Sequence, residues 1–304
     1  MTGCTLCPRA CKAERAQKPG FCGAGETIHV ALAQLHHGEE PCLSGPSPEL
    51  GGSGTIFFCG CALKCLYCQN HDISMADAGD TGYELSVDDL TALMLELQLV
   101  GAHNINLVTP SHFTPQVREA LTQAKKHGLC LPVVWNSSGY ESVDTLRTLD
   151  GLVDIYLPDL KYMDSQAAAR FSSAPDYPTI ATHAILEMHR QVGQLVVEDG
   201  PNGLQLARRG LLIRLLVLPG NVGRTDLALT WIADTLGPNT AVSLMGQYYP
   251  AHRAAEFPEI DRGVTPAEYA AVRAHMDELG FTHGFVQQVG SSANFTPDFR
   301  QQDG

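Results

Sequence analysis

"CGCALKCLYCQN", residues 59–70, sets four cysteines within ten positions, and three of them, Cys61, Cys65 and Cys68, fall at spacings of four and then three. The stretch directly follows the β-rich run "TIFF" (55–58), so these cysteines stand where a strand gives way to a loop. In folds that alternate strands with helices, that end of the strand is where active sites are built. Three thiolates on one loop can hold three corners of an iron–sulfur cube and leave the fourth iron open, whereas structural zinc takes four protein ligands.

Outward from this loop the pattern is regular. The runs "TIFF", "INLV", "LPVVW", "VDIYL", "LLIRLLVL" and "TAVSLM" alternate with helical segments. Ser86 is placed to cap a helix whose apolar positions Val87, Leu90, Leu93, Met94 and Leu97 keep a 3.6-residue period. Thr114-Pro115 reads as the N-cap and first turn of a second helix. Thr265-Pro266-Ala267-Glu268 reads as a capping box, with Gly280 where that helix must stop. Strands separated by helices pair in parallel through right-handed crossovers, so the expected fold is α/β, a barrel or a partial (β/α)6 TIM-like barrel. "VVEDGPNGLQL" (196–206) interrupts the order as a β-hairpin turning at Pro201-Asn202-Gly203.

The chain of 304 residues is 44% apolar, enough for a substantial core. It shows no apolar run of the roughly eighteen residues that span a bilayer. Its N-terminus lacks the apolar stretch of a secretory signal, so a cytoplasmic location without membrane contact is expected. There thiols stay reduced, and clustered cysteines bind metal more often than they form bridges. Twenty Lys and Arg against 33 Asp and Glu give a net charge of −13, a poor balance for a partner made of phosphates, so no nucleic-acid partner is expected. Residues 1–26 hold Cys4, Cys7, Cys11 and Cys22 among glycines and prolines, and 36–54 is a Gly/Pro/Ser-rich loop. These features divide the chain into a Cys-rich extension, 1–50, and a barrel domain, 51–304.

Cys61-x3-Cys65-x2-Cys68, with Tyr67 just before the last cysteine, resembles the signature of radical S-adenosylmethionine enzymes. "CALKCLYCQNHDIS" is similar in particular to the cluster loop of pyruvate formate-lyase activating enzymes and their uncharacterised iron–sulfur relatives. "NSSGYE" (136–141), "DIYLPDLKY" (154–162), "IRLLVLPGN" (213–221) and "VSLMGQYYP" (242–250) match successive strand ends of that family in order, so the resemblance spans roughly residues 50–290. It implies an oxygen-sensitive enzyme of the oxidoreductase class, working in anaerobic conditions with a [4Fe-4S] cluster on Cys61, Cys65 and Cys68. S-adenosyl-L-methionine would chelate the open iron. An electron from a flavodoxin- or ferredoxin-type donor would then break the sulfur–C5′ bond, and the 5′-deoxyadenosyl radical would take a hydrogen atom from a substrate. That substrate is a glycyl radical enzyme in one branch of the family and a small molecule or peptide in the other.

The resemblance also implies roles around the cluster. Tyr67 and Asn70 fall near the adenosyl group, and Asn136 on the strand end of "NSSGYE" joins the cofactor side. Asp159 and Lys161 correspond to an acidic and basic pair on that side of the barrel. Arg214 lies inside a strongly apolar strand and needs an anion there: the cofactor carboxylate, or a structural partner such as Asp159. The chain departs from the family at "NLVTPSHFTP" (106–115), where a Gly-Gly-Glu stretch is usual. The hydroxyls of Thr109 and Ser111 could accept the methionine amine instead. Gln247 or Tyr248 stands where relatives carry an active-site histidine.

Outside that pattern, Cys4-x2-Cys7-x3-Cys11-x10-Cys22 is a second four-thiolate set that suits zinc or an auxiliary iron–sulfur cluster. Cys59 alternates with Cys61 and so faces the other way, and Cys59, Cys42 and Cys130 read as small buried side chains. His112 reads as a solvated loop histidine or as a proton or hydrogen-bond partner beside Thr109 and Ser111, and His36-His37 with Glu39-Glu40 as a solvated loop with a substrate-lid role open. The competing non-enzymatic reading is a zinc-binding interaction module, which predicts a colourless protein in place of a brown one.

Overall fold

The computed structural model describes residues 3–75, 82–200, 203–287 and 299. In chain order the elements are β1 (Ile28–His36), α1 (Pro41–Ser44), β2 (Gly52–Phe58), α2 (His71–Ser74), β3 (Tyr83–Leu85), α3 (Val87–Leu99) and β4 (Ala102–Val108). They continue with α4 (Thr114–Lys126), β5 (Val133–Ser137), α5 (Val143–Arg147), β6 (Ile155–Pro158), α6 (Ser165–Ser172) and α7 (Tyr177–Val192). The last are β7 (Val196–Asp199), β8 (Gln205–Leu216), α8 (Thr225–Leu236), β9 (Ala241–Met245), α9 (Pro266–Glu278) and β10 (Gly284–Val286). Among the described residues no helix is long and apolar enough to cross a membrane.

Strands β2, β4, β5, β6, β8, β9 and β10 run parallel and in that spatial order, with β1 and then β3 added antiparallel beyond β2. The six expected strands are therefore the parallel series from β2 to β9, and helices α3, α4, α7 and α8 fall between them as crossovers. This is an α/β fold with a mostly parallel sheet, as the alternation predicts. Two strands at the margins, β1 and β10, were not legible as barrel strands. β1 pairs with β2, so residues on both sides of position 50 share one sheet. The hairpin expected at 196–206 is present as β7 against β8, while Pro201 and Asn202 of its turn lie outside the described residues.

Local signals explain the helix starts. The capping box expected at Thr265 closes with Glu268, and Ser86 caps α3 as expected, its box completed by Asp89. Thr114, expected as a cap, is instead the first helical residue of α4, and its hydroxyl donates to the Ser111 carbonyl at 2.7 Å. Leu90, Met94 and Leu97 of α3 are buried against the sheet, as their spacing requires.

The β1–β2 connection enters the concave side of the sheet. Cys42 and Leu43 of α1 pack against Val134, Ile155, Leu157, Leu212 and Ala241, residues of four adjacent strands. A single short helix can touch four neighbouring strands only from inside their curvature. Side chains an even number of positions further along the same strands share that face: Asn136, Asp159 and Arg214, each two residues on, and Met245, four residues beyond Ala241 on β9. All four line a cavity that opens above α1.

Candidate functional site

The cavity, about 240 Å³, lies at the C-terminal ends of the parallel strands. Cys61, Cys65 and Cys68 line it on one side, and Tyr67, Asn70, Thr109, Asn136, Asp159, Lys161 and Arg214 complete its wall. Every one of these positions sits on a loop or at a strand end, which is why the barrel brings them together from distant parts of the chain.

The three thiols are individually prepared. Ser172 Oγ donates to Cys65 Sγ at 3.1 Å, Ser74 Oγ to Cys68 Sγ at 3.3 Å, and the Leu63 N–H to Cys61 Sγ at 3.4 Å. Burial pushes the Cys65 thiol up to about 12 and raises that of Cys68, while the Lys161 ammonium pulls both back toward the thiolate. Such thiols are inert unless a cation takes their charge, which is what ligation does. A sulfide cube therefore fits this donor set: three thiolates on one wall, hydrogen-bond donors behind them, and open space on the fourth side.

Lys161 Nζ meets Asp159 Oδ2 at 2.6 Å. Burial alone would depress this ammonium, but Asp159, with the sulfur of Cys65, more than offsets it, and Lys161 is held charged above its usual range. Tyr177 ties the two strand ends behind the pair. Its hydroxyl accepts the Lys161 N–H at 2.9 Å and lies 2.8 and 2.9 Å from the carbonyl oxygens of Ser138 and Asp159. The Tyr67 ring stands edge-on to Tyr162 and Tyr248, with centroids 6.4 and 5.8 Å away.

Several sequence expectations are corrected here. Arg214 does not pair with Asp159 as its nearest anion. Its Nε and Nη2 bond Glu40 at 2.8 and 2.6 Å, and Nη2 also donates to Glu39. Glu39 and Glu40 are thus not a solvated loop: both side chains are buried, and Glu39 takes a further bond from Asn106 Nδ2 at 2.9 Å. Glu39 and Arg214 both line the cavity, beside His36. The adjacent acids preceding Pro41 were the signal available for this, but nothing local could show which cation they meet.

Ser111 leaves the cavity wall. Its hydroxyl donates to Glu141, a buried carboxyl that also receives Trp135 Nε1 at 3.4 Å. Thr109 stays on the wall, in a left-handed conformation with φ 58°. His112 is buried, not solvated, with Nε2 2.7 Å from the Cys59 carbonyl oxygen. Burial pulls its pKa down to about 4. Gln247 faces the cavity, whereas Tyr248 turns its hydroxyl to the Ile260 carbonyl at 2.7 Å. Cys42 and Cys59 are buried, but Cys130 is exposed.

Residues 3–26 fold against the back of the cysteine loop. The Cys61 N–H donates to the Cys22 carbonyl at 3.0 Å. Arg9 reaches across to the carbonyl oxygens of Ala62 (2.9 Å), Leu63 (3.3 Å) and Ser172 (2.7 Å). Among the described residues no three cysteine, histidine or carboxylate side chains stand at the spacing that holds a single metal ion.

No protein-family model matches the chain. Over 271 residues it is 30% identical to the uncharacterized protein MJ0674 of Methanocaldococcus jannaschii, covering 87% of this chain and 71% of the relative. Its fold is similar to that of methylornithine synthase (PylB), with a TM-score of 0.51 at 13% identity over 80% of this chain and 74% of the other. HydG, a maturase of the [FeFe]-hydrogenase, superposes with a TM-score of 0.48 at 13% identity over 74% and 48% of the two chains.

Proposed function

We propose, from the premise that this chain belongs to the family of the uncharacterized protein MJ0674 of Methanocaldococcus jannaschii, that it is a radical S-adenosylmethionine enzyme. The observation that carries the reading is the convergence of Cys61, Cys65 and Cys68 on one wall of a cavity whose other walls are polar and charged. In it, the three thiolates would hold a [4Fe-4S] cluster. Held there, that group would supply one-electron reductive chemistry toward S-adenosylmethionine, the source of the hydrogen-abstracting power of this enzyme class.

The chain's own residues account for the rest. Ser172, Ser74 and the Leu63 N–H steady the thiolates. Lys161 presents a cation toward the cysteine wall and is itself fixed by Asp159; it is suited to a carboxylate of the cofactor. Arg214 is committed to Glu39 and Glu40, so its task is to shape the floor. Tyr67, Asn70, Thr109 and Asn136 border the remaining space, where the adenosyl group and amine would lie. The floor closed by α1 favours a small molecule, or the tip of a peptide as in glycyl radical activation, over a long inserted segment.

The test is anaerobic reconstitution followed by iron counting and a dithionite-driven assay for 5′-deoxyadenosine. Wild type should bind about four irons at this loop and form the product. Cys65→Ala should lose both while remaining folded. Undiminished product from that variant removes the ligand assignment and the reading with it.

A further inference from the structure

We propose that the β8–β10 side of the cavity is the substrate site, and that Gln247, Gln287 and Glu39 there receive the ammonium group of a short aliphatic amine. The site rests on the radical S-adenosylmethionine reading, in which Tyr67, Asn70, Thr109 and Asn136 border the cofactor.

The register of the sheet gathers this side. Leu216 pairs with Met245 across β8 and β9, and Val286 with Leu244 across β9 and β10, so the next residue, Gln287, comes level with Met245. Gln247 follows Met245 by two positions. Leu216, Met245, Gln247 and Gln287 all line the cavity. The main chain of Gln287 is fixed at both of its polar groups: its N–H donates to the Leu244 carbonyl at 3.0 Å, and its carbonyl accepts the Tyr269 hydroxyl at 2.7 Å.

Two side-chain acceptors on this wall stand without donors. Oε1 of Gln247 and Oε1 of Gln287 are withdrawn from solvent and meet no hydrogen-bond partner among the described residues. Gln247 Nε2 lies against Met245 Sδ at 3.9 Å, which fixes the other end of that carboxamide. A buried acceptor without a donor is costly, so two on one wall of one cavity point to a ligand that supplies N–H or O–H groups.

Glu39 decides the charge of that ligand. Its buried carboxylate accepts Asn106 Nδ2 at 2.9 Å and shares Arg214 Nη2 with Glu40, which holds the guanidinium by two bonds of its own. A carboxylate has room for about four donors, so Glu39 can take another. The cations that line the cavity are engaged already, Lys161 by Asp159 at 2.6 Å and Arg214 by both glutamates. Burial holds His36 below its usual range, which leaves it neutral near pH 7. A carboxylate or phosphate arriving here would meet amide oxygens and Glu39, with no free cation among the described lining residues. An ammonium brings N–H donors and a charge that Glu39 complements. Phe57, Leu216 and Met245 offer apolar surface to the carbon chain behind it.

The full chain, reconstituted anaerobically and saturated with S-adenosylmethionine, is titrated with pentylammonium and with pentanoate, and binding is read from the relaxation of each probe's own NMR signals. Pentylammonium should bind about tenfold more tightly, the worth of one hydrogen bond to a charged group. Gln247→Leu and Gln287→Leu should each weaken it by about fivefold. Gln247→Lys should invert the preference so that pentanoate binds more tightly, an outcome that loss of the fold cannot imitate. Equal binding of the two probes by wild type, a preference for pentanoate, or binding of neither overturns the proposal, as does a preference for pentylammonium that survives all three substitutions. Formation of 5′-deoxyadenosine is measured on the same wild-type sample. Product without an ammonium preference removes this site alone, whereas the preference without product removes the radical reading and leaves an amine site.

Discussion

Arg214 and Glu40 form a two-pronged ion pair inside the barrel, Nε to Oε1 at 2.8 Å and Nη2 to Oε2 at 2.6 Å, with both side chains largely withdrawn from water. The pair joins the β1–β2 loop to β8 and so fixes the floor of the cavity. Ion pairs in such places are weak sources of net stability, but removing one partner leaves a desolvated charge. Glu40→Ala should therefore cost about 3–5 kcal/mol in denaturant unfolding. A loss below about 1 kcal/mol would mean that Glu39 alone suffices for the guanidinium.

His112 makes stability depend on pH in a stated direction. Its folded-state pKa is depressed to about 4 by burial, against an ordinary 6.5. Between those values the unfolded chain binds a proton that the folded chain refuses, so stability falls as pH drops from 6.5 toward 4 and levels off below. The full effect is about 3 kcal/mol. His112→Gln should flatten that part of the curve when unfolding midpoints are compared at pH 7 and pH 5; an unchanged slope would assign it to other groups.

Gly60 has φ 87° and no space for a side chain beside the Cys22 carbonyl. Gly60→Ala should lower stability by about 1–3 kcal/mol. It should also reduce the iron retained after anaerobic reconstitution several-fold, because the displaced residue adjoins Cys61. Wild-type iron content in this variant would show that the loop can shift without losing its grip.

Tyr177→Phe removes one oxygen that serves the Lys161 N–H and the carbonyl oxygens of Ser138 and Asp159. The buried N–H left behind should cost about 1–3 kcal/mol. Cofactor affinity, measured by equilibrium dialysis against S-adenosylmethionine, should weaken, since Asp159 and Lys161 lose their common anchor. Equal affinity in the presence of the stability loss would restrict Tyr177 to a structural role.

Much of the parallel sheet was readable because each strand is a short β-rich run bounded by turns, a property of a few adjacent residues. The cysteine loop was readable for the same reason: three cysteines within eight residues carry their own spacing. β10 was not, since Gly284–Val286 is three residues long and half exposed, too short for any period to declare itself. Ser172 and Ser74 were missed behind the thiols because a lone serine gives no local sign of what it will meet.

Local sequence determined the order of strands and helices, the two capping boxes and the cysteine triad at a strand end. Tertiary structure alone decided that Glu39 and Glu40, not Asp159, neutralise Arg214, that Ser111 turns away to Glu141, and that His112 is sealed from solvent. The physical reason is range. Backbone propensity and periodicity act over a few residues, whereas a buried charge or hydroxyl must find its partner among whatever the folded sheet brings within about 3 Å, wherever that lies in the chain.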